Sequence, residues 1–260
     1  MKLFIGFVII VTSIDAVLSF SSVKAVIFDM DGLLLDSEEV YFKAHSDVCK
    51  MFNKTYTKEV KMKVMGTQPN LSAKTIVDTL NINITPEAYR AEYEKLISQR
   101  LISIDFMPGA QKVVRHLSSY RIPIALATSN TAPFYELATM HHKPVFNLFE
   151  HIVIGGSEPE VKNGKPAPDI FLICAKRFKD PPKAEKVLVF EDAPQGVLAA
   201  RRAGMQVVMV PDPTLPEQYQ VNATKVIPTL EDFIPEEFGL PLTDIVAITN
   251  KEKISNSMSA

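Results

Sequence analysis

The stretch Val23-Lys-Ala-Val-Ile-Phe28, followed by Asp29-Met-Asp-Gly32, decides the fold. Its β-branched and apolar residues predict a short buried strand that ends at two acidic residues. Residues two apart in an extended chain point the same way, so Asp29 and Asp31 share one face while Met30 points to the apolar layer. Gly32 allows the backbone to leave the strand in a conformation that other residues avoid. Two carboxylates are therefore expected together at the end of the strand.

From Met107 onward, apolar runs that predict strands alternate with helical periodicity, which is typical of a parallel sheet covered on both faces. The predicted strands after the first are Pro123–Ala127, His151–Ile154, Val187–Phe190 and Gln206–Val210. The predicted helices are Ala110–Ser119, Ala132–Met140, Asp169–Phe178 and Pro194–Ala203. The pattern predicts an α/β fold with a Rossmann-like, doubly wound parallel sheet.

Between these two parts, helical periodicity runs without a strand-like segment. Ser37, followed by acidic residues, predicts a capped helix start that continues to about Asn53. A second helix is predicted over Leu71–Leu80, and Thr85-Pro-Glu87 predicts the start of another that runs to about Ser103. Residues 40–105, here named the helical insert, are expected to form an all-helical domain, with residues 22–39 and 106–240 as the core that contains the sheet.

The two ends of the chain differ from the rest. Residues 1–21 hold one lysine and the apolar run Leu3–Val11, which resembles a secretory leader. A packed apolar extension and a weak anchor are the alternatives, but no stable membrane span is expected, because a span needs roughly 18–20 apolar residues. Beyond Phe233 the sequence is proline-rich and then polar, and residues 241–260 are expected to form a disordered tail.

Composition excludes several classes of protein. The 28 basic and 30 acidic residues give a net charge of −2, which disfavours nucleic-acid binding. Cys49 and Cys174 are the two cysteines, too few for a disulfide framework or a cysteine-rich zinc site. The oligomeric state stays open.

Further polar residues follow the other predicted strands. Thr128-Ser-Asn130 follows the second strand, Glu191-Asp192 the fourth, and Lys165 lies in the loop before a helix. Each alone has an ordinary explanation: a turn, a helix cap or a solvated lysine. Ligands bind at the carboxyl ends of the strands in such sheets, so their shared position favours a catalytic site.

These residue types indicate phosphoryl transfer. Asp29 is assigned as the nucleophile that forms an aspartyl-phosphate, and Asp31 as the acid that protonates the leaving group and then activates water. Together with Asp192 they form an oxygen-rich set that suits Mg²⁺. Thr128 and the backbone near Asn130 would bind phosphoryl oxygens, while Lys165 balances the negative charge.

With these residues in place, the chain resembles haloacid-dehalogenase-superfamily phosphatases from Val23 to about Leu240. The motifs that carry the resemblance are Val26–Ser37, Ala125–Asn130, Gly164–Pro166 and Val189–Gly196. The resemblance implies Mg²⁺ bound by the Asp29 carboxylate, the Asp31 backbone carbonyl and Asp192, supported by Glu191. It also implies that Ser129 joins the phosphate-binding residues.

The resemblance further implies that the helical insert is a cap that closes over the site and contacts the leaving group. Glu38, Tyr41 and the Gly66 loop are the expected contacts. The substrate would be a small phosphorylated metabolite, either a nucleoside phosphate or a sugar phosphate. The family type implies a cytoplasmic protein, whereas the leader-like segment suggests the secretory route.

Several alternatives remain. A broader sugar-phosphate or polyol-phosphate phosphatase, or a phosphosugar mutase, would use the same core. Dehalogenation is disfavoured because Asp31 supplies an acid and base that this reaction does not need. A phospho-acceptor signalling module would place the acceptor aspartate on a later strand. A catalytically dead scaffold is disfavoured because every motif residue is present.

Overall fold

The structure, a computed structural model, describes residues 20–241. The expected leader and tail lie almost entirely outside the described residues. Within this range, six strands form one sheet. They are β1 (Ala25–Phe28), β2 (Ile124–Thr128), β3 (His151–Ile154), β4 (Val187–Glu191), β5 (Gln206–Met209) and β6 (Lys225–Val226).

The strand order is β3-β2-β1-β4-β5-β6, and all neighbouring strands run parallel. The predicted doubly wound sheet is therefore confirmed. The chain turns in opposite directions on the two sides of β1, which makes the carboxyl end of β1 the crevice where such sheets bind ligands. Every residue of β1, β2 and β4 is buried, as expected for apolar strands covered on both faces.

Nine α-helices accompany the sheet in the described part of the chain. They are α1 (Glu38–Met51), α2 (Lys58–Val64), α3 (Pro69–Leu80), α4 (Pro86–Arg100), α5 (Ala110–Ser119), α6 (Ala132–Thr139), α7 (Lys143–Phe146), α8 (Asp169–Lys176) and α9 (Pro194–Arg202). Thr85 caps α4 as predicted, because its side chain accepts a hydrogen bond from the Ala88 backbone N–H.

One predicted cap is wrong. Ser37 precedes α1, but its side chain makes no capping hydrogen bond. The hydroxyl instead donates to Asp31 Oδ1 at 2.9 Å, because the backbone turn after β1 brings the two side chains together. Ser37 therefore serves the candidate site rather than the helix end.

The helical insert has a hydrophobic core of its own. Apolar side chains from α1 to α4 pack together, with Cys49, Ile76 and Tyr89 among the most buried. A larger cluster, including Ile27 and Phe171, covers the sheet. An all-helical insert is thus present, while its expected boundaries at residues 40 and 105 stay a prediction.

The compact unit Val23–Phe233 contains the sheet and the insert. A second unit includes the described residues 20–22 and 234–241. Within it, the rings of Phe20 and Phe238 stack with centroids 4.8 Å apart. Among residues 20–241, no helix has the length and apolar character required to cross a membrane.

Candidate active site

The end of β1 presents the two predicted carboxylates to one cavity of about 120 Å³. Asp29 and Asp31 both line it, while Met30 between them is fully buried, as the alternation of an extended chain predicts. Gly32 has a φ of +81°, and a Cβ there would collide with the Asp192 carboxylate. The close approach of the loop to β4 therefore requires glycine at this position.

A buried lysine joins the ends of β1 and β4. Lys165 Nζ lies 2.5 Å from Asp29 Oδ1 and 2.6 Å from Glu191 Oε1, and the lysine is 1% exposed. Burial alone would lower the pKa of Lys165, but the two carboxylates outweigh it and hold the pKa above its usual value. The lysine therefore remains charged at neutral pH.

Three carboxylates cluster at this end of the sheet, and two of them, Asp29 and Glu191, contact the Lys165 ammonium group. Oxygens of Asp29, Glu191 and Asp192 lie within 4.8 Å of one another, and all three residues are buried. Burial, followed by repulsion from Glu191, raises the pKa of Asp192 well above its usual value. Because the set is oxygen-only and carries more negative than positive charge, it fits a hard cation such as Mg²⁺.

The Glu191 carboxylate accepts several hydrogen bonds. Besides Lys165, it accepts hydrogen bonds from the backbone N–H groups of Asp192 and Ala193, both at 3.1 Å. A Cβ at Gly196 would collide with the Glu191 carboxylate, so α9 approaches the acid closely. Glu191 is therefore better placed to orient Lys165 and the loop than to offer a free oxygen.

Asp31 has a different environment from Asp29. Its Oδ1 accepts hydrogen bonds from Ser37 Oγ at 2.9 Å and Tyr41 OH at 2.6 Å. Its Oδ2 accepts from Asn130 Nδ2 at 3.2 Å and, more weakly, from Thr128 Oγ1 at 3.4 Å. Burial, helped by the charge of Asp29, raises the pKa of Asp31 despite these donors. A carboxyl group in this position retains a proton more readily than an exposed one.

The end of β2 supplies hydroxyl and amide groups. Thr128 Oγ1 accepts the Asn130 backbone N–H at 3.1 Å, which fixes the turn into α6. Ser129 Oγ donates to the Gly66 backbone carbonyl at 3.0 Å and so connects the sheet to the insert. A Cβ at Gly66 would lie 2.9 Å from the Cβ of Ala193, so the two parts approach closely.

The structure brings the predicted site residues to one edge of the sheet. The cavity is lined by the predicted residues Asp29, Asp31, Glu38, Tyr41, Gly66, Ser129 and Asn130. Four further predicted residues do not line the cavity but are hydrogen-bonded to residues that do or to one another. They are Thr128, Lys165, Glu191 and Asp192. Their roles in catalysis, phosphate binding and metal binding stay predictions.

Several cavity residues were missed by the sequence analysis. His45, Tyr89 and Tyr93 form an aromatic wall, in which the rings of His45 and Tyr93 stack with centroids 4.1 Å apart. His45 lies one helical turn after Tyr41, so helical spacing could have found it. The tyrosines of α4 carry no such signal, because only the packing of α4 against α1 brings them to the cavity.

The insert also contributes a lysine that was not predicted. Lys61 lies 2.9 Å from Glu38 and 3.2 Å from Asp212, which follows β5. Glu38, predicted as a leaving-group contact, is thus also an ion-pair partner. Together the three residues connect the insert to the core beside the cavity.

The chain is similar to proteins of a known family. Residues 26–210 match the model of the haloacid dehalogenase-like hydrolase family. The chain is 47% identical over 215 residues to a Drosophila melanogaster protein named probable pseudouridine-5'-phosphatase, covering 83% of this chain and 93% of that one. It is 46% identical over 223 residues to (DL)-glycerol-3-phosphatase 2 of Arabidopsis thaliana, covering 85% and 92%.

The fold has solved counterparts. A crystal structure of β-phosphoglucomutase from Clostridium difficile matches with a TM-score of 0.70 at 20% identity, covering 90% of this chain and 99% of that one. This similarity concerns the fold alone. Taken with the family match and the buried carboxylates at the strand ends, the comparisons identify the chain as a phosphatase that belongs to the haloacid dehalogenase-like hydrolase family.

Proposed function

We propose that the protein is a Mg²⁺-dependent phosphomonoester hydrolase that converts pseudouridine 5'-phosphate to pseudouridine and phosphate through an aspartyl-phosphate on Asp29. One observation carries the proposal. Asp29, held by Lys165, opens onto the same cavity as Asp31, whose pKa is raised by burial. The proposed nucleophile and the proposed proton donor thus face one cavity.

In the first step, an Asp29 carboxylate oxygen bonds to phosphorus, and the bond from phosphorus to the leaving oxygen breaks. Asp31 gives its proton to that oxygen, so the nucleoside leaves as a neutral alcohol. The raised pKa of Asp31 favours the protonated form that this step needs. The step produces an acyl phosphate on Asp29 and an ionised Asp31.

In the second step, water attacks the phosphorus of the aspartyl-phosphate. Asp31 accepts a proton from this water, and the bond between phosphorus and Asp29 breaks. Phosphate leaves, while Asp29 is again a carboxylate and Asp31 is again protonated. Splitting the hydrolysis in two lets one group act first as acid and then as base.

The remaining strand-end residues are proposed to bind the phosphoryl oxygens. Thr128, Ser129 and Asn130 place hydroxyl, amide and backbone donors at the start of α6, where helix N-termini favour anions. The long 3.4 Å hydrogen bond from Thr128 to Asp31 leaves the hydroxyl available to a better acceptor. Lys165 adds a fixed positive charge.

Asp29 and Asp192, with the Asp31 backbone carbonyl and the support of Glu191, are proposed to hold Mg²⁺. The ion, when bound, would offset the charge of the carboxylates and of the phosphoryl group. Without a cation, three buried carboxylates share one ammonium group. The residues therefore fit the ion that the family typically uses.

The leaving group is proposed to be a nucleoside because several of the side chains that line the cavity are aromatic. Tyr41, Tyr56, Tyr89 and Tyr93 line it together with Phe42. Aromatic faces stack well on a planar base and offer little to a small polyol. The Drosophila relative named probable pseudouridine-5'-phosphatase supports the same substrate.

Glycerol 3-phosphate is the second candidate substrate. The Arabidopsis relative named for this activity is nearly as similar, at 46% identity over 223 residues. Core residues that handle phosphate do not distinguish the two leaving groups, since both substrates carry the same phosphomonoester. The choice therefore depends on the residues of the helical insert.

Phosphate release by the full-length chain tests the proposal. Pseudouridine 5'-phosphate, uridine 5'-phosphate and glycerol 3-phosphate would be compared with Mg²⁺ and with a chelator, using Asp29→Asn as the control. We expect pseudouridine 5'-phosphate to have the highest kcat/KM, and we expect chelation and Asp29→Asn each to abolish release. Faster turnover of glycerol 3-phosphate would contradict the proposed substrate. Full activity of Asp29→Asn would contradict the proposed mechanism.

A further inference from the structure

The aromatic wall of the cavity contains a histidine that the proposed reaction does not use. His45 is 9% exposed, and its ring stacks on Tyr93 with an interplanar angle of 10°. The ring of Tyr56 lies 5.1 Å from it, centroid to centroid. Since His45 lines the same cavity as Asp29 and Asp31, a leaving group bound there would meet its ring.

The hydrogen bonds of Tyr89 define which nitrogen of His45 carries the proton. Tyr89 OH lies 2.9 Å from His45 Nδ1 and 3.6 Å from Cys49 Sγ. The hydroxyl has one proton, and an imidazole nitrogen is a much better acceptor than a thiol sulfur. The favoured chain therefore runs from Cys49 S–H to Tyr89 oxygen and from Tyr89 O–H to His45 Nδ1. In this arrangement Nε2 carries the proton.

The second ring nitrogen is available to a ligand. Among residues 20–241, the His45 ring makes its hydrogen bond through Nδ1 to Tyr89, which leaves Nε2 without a protein partner. Burial lowers the pKa of His45 to about 3, so the ring is neutral at neutral pH. A neutral Nε2–H group is a donor without a full charge, which suits an uncharged carbonyl oxygen better than a second phosphate.

We propose that His45 is a specificity-determining residue that donates its Nε2–H to a carbonyl oxygen of a pyrimidine-type base in the leaving group. Tyr89 is the positioning residue that holds the required tautomer. The inference rests on the proposed phosphatase function and deepens it. A carbonyl oxygen accepts only, so it needs a donor here, whereas a polyol hydroxyl can use either a donor or an acceptor.

The experiment compares KM and kcat of the wild type with three variants on pseudouridine 5'-phosphate and glycerol 3-phosphate. His45→Phe keeps a ring to stack on Tyr93 but removes the donor. His45→Gln keeps an amide N–H near the position of Nε2, and Tyr89→Phe removes only the hydroxyl. Lys74→Gln, an exposed site on α3 of the same insert, is the matched control.

We expect His45→Phe to raise KM for pseudouridine 5'-phosphate about 3- to 10-fold, the effect of one neutral hydrogen bond, with a smaller change in kcat. The ratio of KM for pseudouridine 5'-phosphate to KM for glycerol 3-phosphate should therefore also rise. In His45→Gln this ratio should return part of the way to the wild-type value. Tyr89→Phe should give a smaller rise. Equal changes for both substrates, or no recovery with glutamine, would overturn the proposal.

Calorimetry with pseudouridine alone separates this inference from the proposed reaction. If the wild type hydrolyses neither substrate, the proposed function fails, but binding still decides the role of His45. We expect the affinity for pseudouridine to be about 3- to 10-fold lower in His45→Phe than in the wild type and to recover in His45→Gln. Equal affinity of the wild type and His45→Phe, or no binding by the wild type, would contradict it.

Discussion

The two sides of the cavity differ in how they hold charge. On the strand-end side, Lys165 is 1% exposed and lies between Asp29 and Glu191. On the insert side, the side chain of Lys61 is 17% exposed between Glu38 and Asp212, and the neighbouring wall is aromatic. Under the proposed function, the phosphate would meet dry, fixed charges, while the leaving group would meet stacking faces and a partly solvated ion pair.

The largest expected effect is on the strand-end side. Lys165→Met removes the ammonium group that contacts Asp29 and Glu191 and leaves three carboxylates buried together. We expect the free energy of unfolding to fall by about 3–5 kcal/mol, because an uncompensated buried charge remains. Phosphatase activity should fall at least about 100-fold, since the variant loses the charge that is proposed to stabilise the transferring phosphoryl group.

Denaturant unfolding and phosphate release check this prediction. Lys74→Gln, which breaks an exposed ion pair on α3, is the control and should change the unfolding free energy by less than about 0.5 kcal/mol. If Lys165→Met were as stable and active as the wild type, the distinction between the two sides would fail.

A smaller effect concerns pH on the insert side. The pKa of His45 is about 3 in the folded chain against an ordinary value of 6.5, because burial disfavours the charged ring. The unfolded chain thus binds a proton below about pH 6.5 while the folded chain does not. The contribution of His45 to the free energy of unfolding is therefore fully present above pH 6.5 and decreases as the pH falls towards 3. Between pH 8 and pH 5 the loss is about 2 kcal/mol.

Unfolding of the wild type and His45→Gln across this pH range isolates the contribution. The wild type should lose about 2 kcal/mol more than the variant, whatever their difference at pH 8. Parallel pH profiles for the two proteins would show that His45 is solvated rather than buried in the aromatic wall.

The smallest effect is expected at the ion pair that connects the insert to the core. Lys61→Gln leaves Glu38 and Asp212 without the cation that they share. Both carboxylates are partly exposed, so water can solvate them in the variant. We expect the unfolding free energy to fall by about 1 kcal/mol and KM to rise a few-fold. A stability loss as large as that of Lys165→Met would remove the contrast between the two sides.

The strand-end side was largely predictable from the sequence. Asp29 and Glu191 follow apolar runs that predict buried strands, Asp31 lies two residues after Asp29, and parallel strands end at one edge. Short elements were missed, among them β6 with two residues and α7 with four, because so few residues establish no periodicity.

The insert side was less predictable, because helices in a small bundle meet through packing rather than through any local signal. Tyr89 reaches His45 from a position 44 residues away in the chain. Ser37 is a similar case on the core side. The local sequence predicted a helix cap, but the Ser37 hydroxyl donates to Asp31. Local patterns thus predicted the elements, but tertiary contacts determine which partner each polar group finds.

The most direct test of the proposed chemistry is a rapid-mixing experiment with Asp31→Asn and p-nitrophenyl phosphate. This leaving group departs without a proton, so Asp29 can still be phosphorylated, whereas hydrolysis of the intermediate lacks its base. We predict a burst of about one equivalent of nitrophenolate followed by slow turnover, with the phosphoryl group on Asp29 in acid-quenched peptides. Steady release without a burst, or a phosphoryl group on another residue, would contradict the assignment of Asp29 as the nucleophile and Asp31 as the acid and base.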